Sequence, residues 1–431
     1  MRMGDDENSG KVTDVGGTET SRGGPHRSFA FSIVFFTALI DSIGFGIILP
    51  VTPDLLMSVS GETLSSAAVY GGWLMLVFAG MQFFAMPVLG NLSDAFGRKP
   101  VLLISLAVLA GNYLLMGLAE SLTLLFVGRL LSGVGSATFS TCNAYIADRT
   151  TNDERAQFFG LMGAAFGMGF VIGPVVGGFL GEFGPRVPFF VTAALITVNL
   201  LLGLALLPES LPSNLRRPFQ WRRANPLASL LAMREFRLAY VIIGVLFLYN
   251  MGHHVLPAVW NFWGMERFAW TPKEVGYSLG FVGILMVFSQ GVLIRWAIPK
   301  FGHVYAGLIG LLCNMLAFVG YAFAPSTAVV YAFLAVGALG GLAGPAINGL
   351  ASIQVNERQQ GELQGAIGSM VSLTSIISPL MMTMTFDHYA NANASIYFPG
   401  APFLLAAGLT LVSLLLFLWV TRPTPNDHAP S

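Results

Sequence analysis

The chain has 431 residues, of which 54% are hydrophobic and only 10% are charged. Ordinary soluble domains carry roughly 25% charged residues, so this composition excludes an ordinary soluble domain. The 22 basic and 22 acidic residues cancel, and no overall charge indicates nucleic acid or an acidic partner. The 50 glycines are typical of helices that pack closely in a bilayer.

Long apolar runs predict membrane-spanning helices, because a helix needs roughly 20 apolar residues to cross a bilayer. Twelve such runs, predicted spans one to twelve, follow one another along the chain. Their approximate bounds are 29–52, 67–89, 101–119, 122–145, 157–180, 187–207, 237–260, 275–295, 303–323, 327–350, 362–385 and 399–420. The sequence therefore predicts an all-α membrane protein with twelve transmembrane helices.

The stretches between the runs divide the chain into domains. Residues 1–28 form a polar, Gly-rich cytoplasmic tail that is predicted to be disordered. The first run is too long for the apolar core of a signal peptide, so we expect it to be retained. The one long internal break, 208–236, is predicted as a cytoplasmic linker between two six-helix bundles, 29–207 and 237–420, and a short cytoplasmic tail, 421–431, follows.

Lysine and arginine predict the orientation. With a cytoplasmic N terminus, 18 of the 22 basic residues lie in the tails and cytoplasmic loops, and only Arg186, Arg267 and Lys273 lie in outer loops. Cytoplasmic loops of membrane proteins carry such an excess. The asymmetry predicts an even number of spans with both termini in the cytoplasm. We expect a multi-pass protein of the bacterial cell inner membrane.

The two halves of the sequence are related to each other. "AFGRKPVLLISL" begins at Ala95 and "KFGHVYAGLIGL" begins at Lys300, an offset of 205 that also carries Pro174 to Pro379. Two six-helix halves in the same orientation form a parallel repeat, which resembles the plan of the major facilitator superfamily. That resemblance implies a substrate site between the halves, near the middle of the membrane.

The loop between predicted spans two and three, "GNLSDAFGRKPVLL", resembles the cytoplasmic loop signature of that superfamily through Gly90, Asp94, Gly97 and Arg98. A tight turn needs glycine where φ is positive. We expect Asp94 at a helix N terminus, where an anion is favoured. The resemblance implies that Asp94, Arg98 and Asp148 form a network that latches helices together in the outward-facing state. The alternative is a hydrophilic loop that merely follows the charge rule.

Predicted span five, "GLMGAAFGMGFVIGPVVGGFLG", resembles the antiporter signature through Gly169, Gly173, Pro174 and Gly177. Small residues let helix backbones approach closely, and the proline bends the helix. The structural alternative is simple close packing. It is compatible with the functional one, because the resemblance implies that this packing seals the inner half of the pathway.

Five longer stretches resemble the tetracycline-resistance branch of the drug:proton antiporters. They are "LIDSIGFGIILPVTPDLL", "FVGRLLSGVGSATFSTCNAYIADRT", "FFGLMGAAFGMGFVIGPVVGGFLGE", "GPAINGLASIQV" and "GELQGAIGSMVSLTSIISPLM", and the likeness covers the chain except its two tails. Within that resemblance Asp41 matches an acid of helix one, and Arg129 matches a buried arginine of helix four. Gln290 matches a glutamine in the substrate path of helix eight.

Three other positions depart from the branch. The acid of helix three falls on Asn112, the acid of helix nine on Asn314, and the histidine of helix eight on Met286. Asparagine and methionine cannot gain and lose a proton as those groups do. The departures leave the implied fold intact, and they count against a metal–tetracycline complex as the substrate.

Among the 22 acidic residues, Asp41 alone lies well inside a predicted span. A charge at the bilayer centre costs about 2.5–3.5 kcal/mol on insertion scales, so such a residue usually faces a cavity or a partner. We predict that Asp41 is the proton or cation site. The alternative is a structural hydrogen bond to a neighbouring helix.

A polar face of predicted span four repeats every three or four residues and is expected to line the cavity. It consists of Arg129, Ser132, Gly133, Ser136, Ser140 and Asn143. A structural clamp is the alternative for Arg129.

His253 and His254 are expected near the outer end of predicted span seven, where an interfacial pair without a functional role is favoured. An interfacial aromatic belt is favoured for Trp260, Phe262, Trp263 and Trp270.

The chain shows no phosphate-binding loop, no metal-ligand spacing and no nucleophile–base pair, so we predict no enzyme activity, no cofactor and no metal.

We predict a secondary transporter that exports amphipathic organic compounds in exchange for protons by alternating access. The predicted partners are a small-molecule substrate, protons and lipid, and a monomer is the family default. The predicted substrate-binding residues are Asp41, Asn112, Arg129, Ser136, Gln290 and Asn314. Two alternatives stay open: a transporter of the same fold for another solute without proton coupling, and a membrane sensor that has lost transport.

Overall fold

The computed structural model describes residues 25–136, 138–220, 237–356 and 359–422, and within these ranges it contains helices and no strand. The helices are Pro25–Ile48 and Thr52–Ser60 in span one, Leu64–Phe96 in span two, Arg98–Gly117 in span three, Leu122–Gly135 and Thr138–Arg149 in span four, Asn152–Gly181 in span five, Val187–Leu206 in span six, Arg237–His253 and Val255–Phe268 in span seven, Pro272–Phe288 in span eight, Ile294–Phe323 from the end of span eight through span nine, Thr327–Gly340 and Ala343–Ile353 in span ten, Gln360–Ala390 in span eleven, and Ala401–Val420 in span twelve. The prediction of a twelve-helix all-α membrane protein is confirmed.

Eleven helical stretches of the described residues are long and apolar enough to cross a membrane. One of them, Pro272–Phe323, is 52 residues long and contains two predicted spans. Gly302 divides it, because φ of 74° and ψ of 170° there are not helical. Glycine tolerates this positive φ, so the chain reverses at this residue and crosses twelve times.

Short polar motifs fix several helix starts. Span eight begins after Thr271, whose backbone N–H donates to Oε2 of Glu274 at 2.8 Å in a capping box. Span five begins with an equivalent box between Thr151 and Glu154. Such boxes satisfy N–H groups that the first helical turn leaves without partners.

The alternation of the spans defines two ends of the bundle. The basic end carries residues 97–98, 149–152, 207–220 and 295–303, and the opposite end carries the loops between the other pairs of spans. The predictions for residues 1–24, 221–236 and 423–431, which include most of the predicted tails and linker, lie outside the described residues.

The two halves meet toward the opposite end. A methyl group at Gly178 of span five would overlap Pro272 of span eight, and one at Gly72 of span two would overlap Thr383 of span eleven. Toward the basic end, a methyl group at Gly160 or Gly163 of span five would meet nothing within 4 Å, and the same holds for Gly361 and Gly368 of span eleven. The space between the halves therefore widens toward the basic end.

The four aromatic residues expected in an interfacial belt are instead in the core. Their exposed fractions are 2% for Trp260, 4% for Phe262, 1% for Trp263 and 3% for Trp270. Trp260 donates from Nε1 to Oγ of Ser278 at 2.9 Å, which ties span seven to span eight. The belt interpretation was wrong because these rings pack against neighbouring spans: Trp260, Phe262 and Trp263 lie in the helix that continues to Phe268, and Trp270 follows it and donates from Nε1 to Oγ1 of Thr327 at 3.0 Å.

Candidate functional site

Asp41 lies in the middle of span one and faces a cavity of about 280 Å3 in the N-terminal half, here called the Asp41 cavity. The cavity is lined by Asp41, Ser42, Phe45, Phe78, Gln82, Leu109, Tyr113, Arg129, Ser132, Ser136, Phe139 and Phe166. Among the described residues, the Asp41 carboxylate has neither a hydrogen-bond partner nor an ion-pair partner. An acid without a protein partner inside an apolar bundle is available to a proton or to a ligand.

The glycines of span five fix the backbone on which Asp41 stands. A methyl group at Gly169 would lie 2.9 Å from the backbone nitrogen of Ile43, and one at Gly173 would lie 2.7 Å from the carbonyl oxygen of Ile43. At Gly177 a methyl group would overlap the carbonyl of Ile47. The antiporter-like motif therefore packs directly against the segment of span one that follows Asp41.

Pro174 lies in the same interface. A methyl group at Gly46 of span one would stand 2.7 Å from Cδ of Pro174, so small residues are needed on both helices. Span one is also tied to span six, since Thr37 donates from Oγ1 to Oδ1 of Asn199 at 3.1 Å. These contacts hold the Asp41 segment from two sides.

Arg129 and Ser136 of span four line the same cavity as Asp41. Arg129 is 9% exposed, and its Nε has no hydrogen-bond partner among the described residues. It also borders a small cavity of about 20 Å3 beside Leu49 and Asn261, where Asn261 donates from Nδ2 to the Leu49 carbonyl at 2.5 Å across the two halves. Arg129 thus lies between the Asp41 cavity and the closed opposite end.

Asn112, which is predicted to bind substrate, does not line the Asp41 cavity. It is fully buried and donates from Nδ2 to Oγ of Ser132 at 2.6 Å, which joins span three to span four. Its Oδ1 has no partner among the described residues. The polar stripe on span four therefore turns partly toward span three, and Asn112 packs between helices.

Gln290 and Asn314 line a second cavity, of about 310 Å3, in the C-terminal half, here called the C-half cavity. Gln290 stands on a π-helical turn, Ser289–Leu293, and Asn314 donates from Nδ2 to the Gly340 carbonyl at 2.8 Å. Met286 lines the same cavity. The six predicted substrate residues are therefore divided: three in the Asp41 cavity, two in the C-half cavity and one buried.

His253 and His254 lie in the middle of span seven and not at its outer end. The membrane-spanning stretch runs Tyr240–Phe268, so His253 is 13 residues from its start and 15 from its end. His253 lines the C-half cavity, and its ring stacks on Tyr249 with centroids 5.5 Å apart. The prediction was wrong because it ended the span at residue 260. Recognising the buried tryptophans as helical core would have moved the histidines inward.

The loop after span two brings its predicted charges together. Arg98 donates from Nε to Oδ2 of Asp148 at 3.0 Å, and its Nη1 lies 2.6 Å from Oδ1 of Asp94. Gly97 has φ of 108°, a value that side chains disfavour, so the turn requires glycine at this position. Gly90 lies inside the helix of span two, and a methyl group there would meet nothing within 4 Å.

Glu209, which the sequence reasoning missed, takes the place expected of Asp94. Asp94 lies in the last turn of span two, whereas the Glu209 carboxylate accepts from the backbone N–H of Arg98 at 2.9 Å and of Lys99 at 3.2 Å. These are the first N–H groups of span three, where a helix favours an anion. The acid at this helix N terminus is Glu209, which is 111 residues from Arg98 in the sequence, so the local sequence could not identify it.

The charged network is complete although the halves meet at the opposite end. All of its members belong to the N-terminal half: Asp94, Arg98, Asp148, Glu209 and Ser210, whose Oγ donates to Oδ2 of Asp148 at 3.1 Å. The contacts among these residues lie within one half, and their role as a latch of the outward-facing state stays a prediction. The network braces one half internally.

Comparisons with known proteins agree with this architecture. The family model described as Major Facilitator Superfamily matches residues 34–379. Tetracycline resistance protein, class C, of Escherichia coli is 37% identical over 385 residues, which cover 89% of this chain and 95% of that protein. Class B of Escherichia coli is 34% identical over 358 residues, covering 83% and 88%. The solved structure of the nucleoside transporter NupG resembles this fold with a TM-score of 0.73, at 16% identity over 92% of this chain and all of that one.

Proposed function

Because the chain belongs to the major facilitator superfamily and is a transporter and not an enzyme, we propose that it exports amphipathic organic compounds of the tetracycline type in exchange for protons. The observation that carries this proposal is the Asp41 carboxylate. It lies at mid-span, faces a cavity and has no partner among the described residues.

Proton exchange at Asp41 follows from its surroundings. A protonated carboxyl is neutral, and it can face an apolar bundle at low cost, whereas the carboxylate needs water or a cationic group. Arg129 faces the same cavity without forming an ion pair with Asp41. Loss of the proton therefore leaves a carboxylate that a substrate cation or a shift of Arg129 can neutralise, and return of the proton releases that partner.

The two cavities fit an amphipathic substrate. The Asp41 cavity combines Asp41 and Arg129 with the rings of Phe45, Phe78 and Phe166. The C-half cavity combines the amides of Gln290 and Asn314 with aromatic rings, among them Phe318 and Tyr321. A planar compound that carries several hydrogen-bonding groups on an apolar skeleton would use both kinds of surface.

Alternating access is supported by where the halves touch. Spans five and eight and spans two and eleven pass each other closely toward the opposite end, while glycines near the basic end face open space. Rocking of the halves would open the opposite end and close the basic end around the two cavities. The span-five glycines that pack on span one, together with the Arg98 network, keep the N-terminal half rigid during this movement.

The basic end is proposed to face the cytoplasm of a bacterial cell, because Arg98, Lys99, Arg149, Arg216 and Arg217 lie there. The protein is then a multi-pass protein of the inner membrane, and we propose that it works as a monomer. Cysteine accessibility on each side of the membrane, with substitutions at Lys99 and at Lys273, tests this orientation.

The function is tested with a panel of antibiotics in an efflux-deficient bacterial host. Expression of the chain should raise the inhibitory concentration of tetracycline or of another amphipathic compound. Cells that express the chain should accumulate less of that compound than cells that do not, and a proton uncoupler should abolish this difference. Resistance that survives the uncoupler would favour a transporter without proton coupling. Absence of substrate counterflow in proteoliposomes for every compound of the panel would favour a sensor.

A further inference from the structure

We propose that His253 is a second protonation site of the transport pathway and that its charged form binds an acidic group of the substrate in the C-half cavity. The inference rests on the proposed function for the identity of the substrate class, and on the geometry of span seven for the site. It concerns a residue at which the sequence predicts no functional role.

His253 ends the first helical part of span seven, Arg237–His253, and a second part begins at Val255. A break in a membrane helix is tolerated where neighbouring groups or a water-filled cavity satisfy the backbone. Here the break adjoins the C-half cavity, and the His253 side chain lines that cavity. The imidazole is thus placed where water and a substrate can reach it.

The break is held from span eleven. Ser378 donates from Oγ to the Met251 carbonyl at 2.6 Å, and Oγ of Ser375 lies 3.1 Å from Nε2 of His254. The Ser375 hydroxyl also donates to the Val371 carbonyl at 2.9 Å. A hydroxyl has one proton, so with that proton directed at Val371 the Ser375 oxygen accepts from Nε2–H of His254. His254 is therefore a positioning residue, and His253 keeps its ring free for the cavity.

The cavity offers His253 polar neighbours and no counter-ion. Gln290 and Asn314 carry amides, Oγ of Ser289 is buried without a partner among the described residues, and Tyr249 stacks on the ring. The titratable groups that line the cavity with His253 are the phenols of Tyr249 and Tyr321.

Spans eight, nine and ten, which line this cavity together with span seven, have charged residues only near their ends among the residues described. These are Lys273, Glu274, Arg295 and Lys300. A proton that adds to the free ring nitrogen of His253 therefore introduces one positive charge with no carboxylate beside it. A ligand that brings an anionic group supplies the missing counter-ion.

The proton at His253 has a different role from the proton at Asp41. It enters from water when the anionic group of the substrate arrives and returns to water when that group leaves. The substrate and this proton then cross together as a neutral pair, so His253 does not replace Asp41 as the driving group. Binding of an acidic substrate should strengthen as pH falls, by up to about tenfold per pH unit if one proton is bound with it.

The first test measures protonation without any substrate. The full chain, labelled with 15N at its six histidines, is titrated by NMR in lipid nanodiscs. The His253 signal, assigned as the one that disappears in His253→Gln, should titrate between about pH 5 and pH 8. A His253 ring that keeps one protonation state over that range would overturn the proposal, whatever the substrate.

The second test measures tetracycline binding to purified protein at several pH values. Asp41 gives every variant the opposite pH dependence, so His253 is measured by the difference between proteins. The wild type should gain affinity as pH falls relative to both His253→Gln and His253→Phe, which keeps a ring against Tyr249, and neither variant should show this gain. His388→Gln, at the exposed far end of span eleven, is the matched control and should keep it. An unchanged pH dependence in both His253 variants would refute the anion-binding role.

The two tests separate the inference from the proposed function. If the wild type binds and exports no tetracycline, the proposed substrate class is wrong, and the NMR titration still decides whether His253 is a protonation site. His254→Gln should lower thermal stability, because the link to Ser375 is lost, while the His253 signal continues to titrate. Loss of titration in His254→Gln with normal stability would contradict the division of roles between the two histidines.

Discussion

The Arg98 guanidinium binds the Asp148 carboxylate across spans three and four, with Nε and Oδ2 3.0 Å apart. The two side chains are 11% and 19% exposed, whereas Asp94, the second acid on Arg98, is 43% exposed. The two carboxylates therefore differ in environment although they share one arginine.

We expect Asp94→Asn and Asp148→Asn to differ accordingly. Asp94→Asn should cost less than about 1 kcal/mol of stability, since the Asp94 side chain is 43% exposed. It should nearly abolish transport, because the predicted latch at this loop loses one of its charges. Asp148→Asn should lower stability by about 1–3 kcal/mol, because the buried Arg98 guanidinium loses its charged acceptor. Thermal unfolding in detergent and transport in vesicles at equal expression measure both. Full transport by Asp94→Asn would remove this loop from the gating mechanism.

Gly173→Leu should block transport. The added side chain has no space, because even a methyl group at this position would stand 2.7 Å from the Ile43 carbonyl oxygen. Overpacking costs typically about 1–3 kcal/mol and here would push span one away from span five. Gly163→Leu, on the same helix with open space around it, is the control and should stay stable. Normal efflux by Gly173→Leu would show that the contact between spans one and five is dispensable.

Asp41→Asn should separate exchange from proton coupling. Asparagine keeps the size and part of the hydrogen-bonding capacity of aspartate, but it cannot carry a proton. Substrate should still exchange across the membrane at equal pH, and uphill transport into inverted vesicles driven by a pH gradient should vanish. Continued concentration of substrate by this variant would make Asp41 a structural residue.

Asn112→Ala should affect stability and leave substrate affinity unchanged. The amide donates to Ser132 between two helices and lines neither of the large cavities, so its loss should cost about 0.5–1.5 kcal/mol. Ligand binding by fluorescence quenching, next to thermal unfolding, distinguishes the two effects. A weaker affinity at unchanged stability would restore Asn112 to the substrate site.

The spans and the motif residues could be predicted from sequence because both depend on local patterns. Apolar runs of about 20 residues reveal membrane helices directly, and the Gly97 turn follows from a glycine that must adopt positive φ. The predicted contact between Arg98 and Asp148 could be anticipated only through the family resemblance, since the two residues are 50 positions apart.

What sequence could not supply depends on which way a side chain points. Tryptophan is compatible both with the lipid interface and with the core, so the sequence alone does not tell which one Trp260 and Trp263 face. The prediction placed them at the interface and ended span seven at residue 260, and His253 was therefore expected too close to the outer end. Asn112 was predicted as a substrate contact because the acid of helix three in the tetracycline-resistance branch falls on it, and only the structure shows that its amide donates to Ser132.

The segment after span six is bound to the N-terminal half well beyond the end of its helix at Leu206. Arg217 donates its backbone N–H to the Asp94 carbonyl at 3.1 Å, and Asn91 donates from Nδ2 to the Gln220 carbonyl at 2.6 Å. The natural border between the halves therefore follows Gln220. If the halves were produced as separate polypeptides, a fragment cut after Leu206 would lose Glu209 and expose the first N–H groups of span three. A fragment that ends after Gln220 would retain this brace and is the better choice for reassembling the transporter from two pieces.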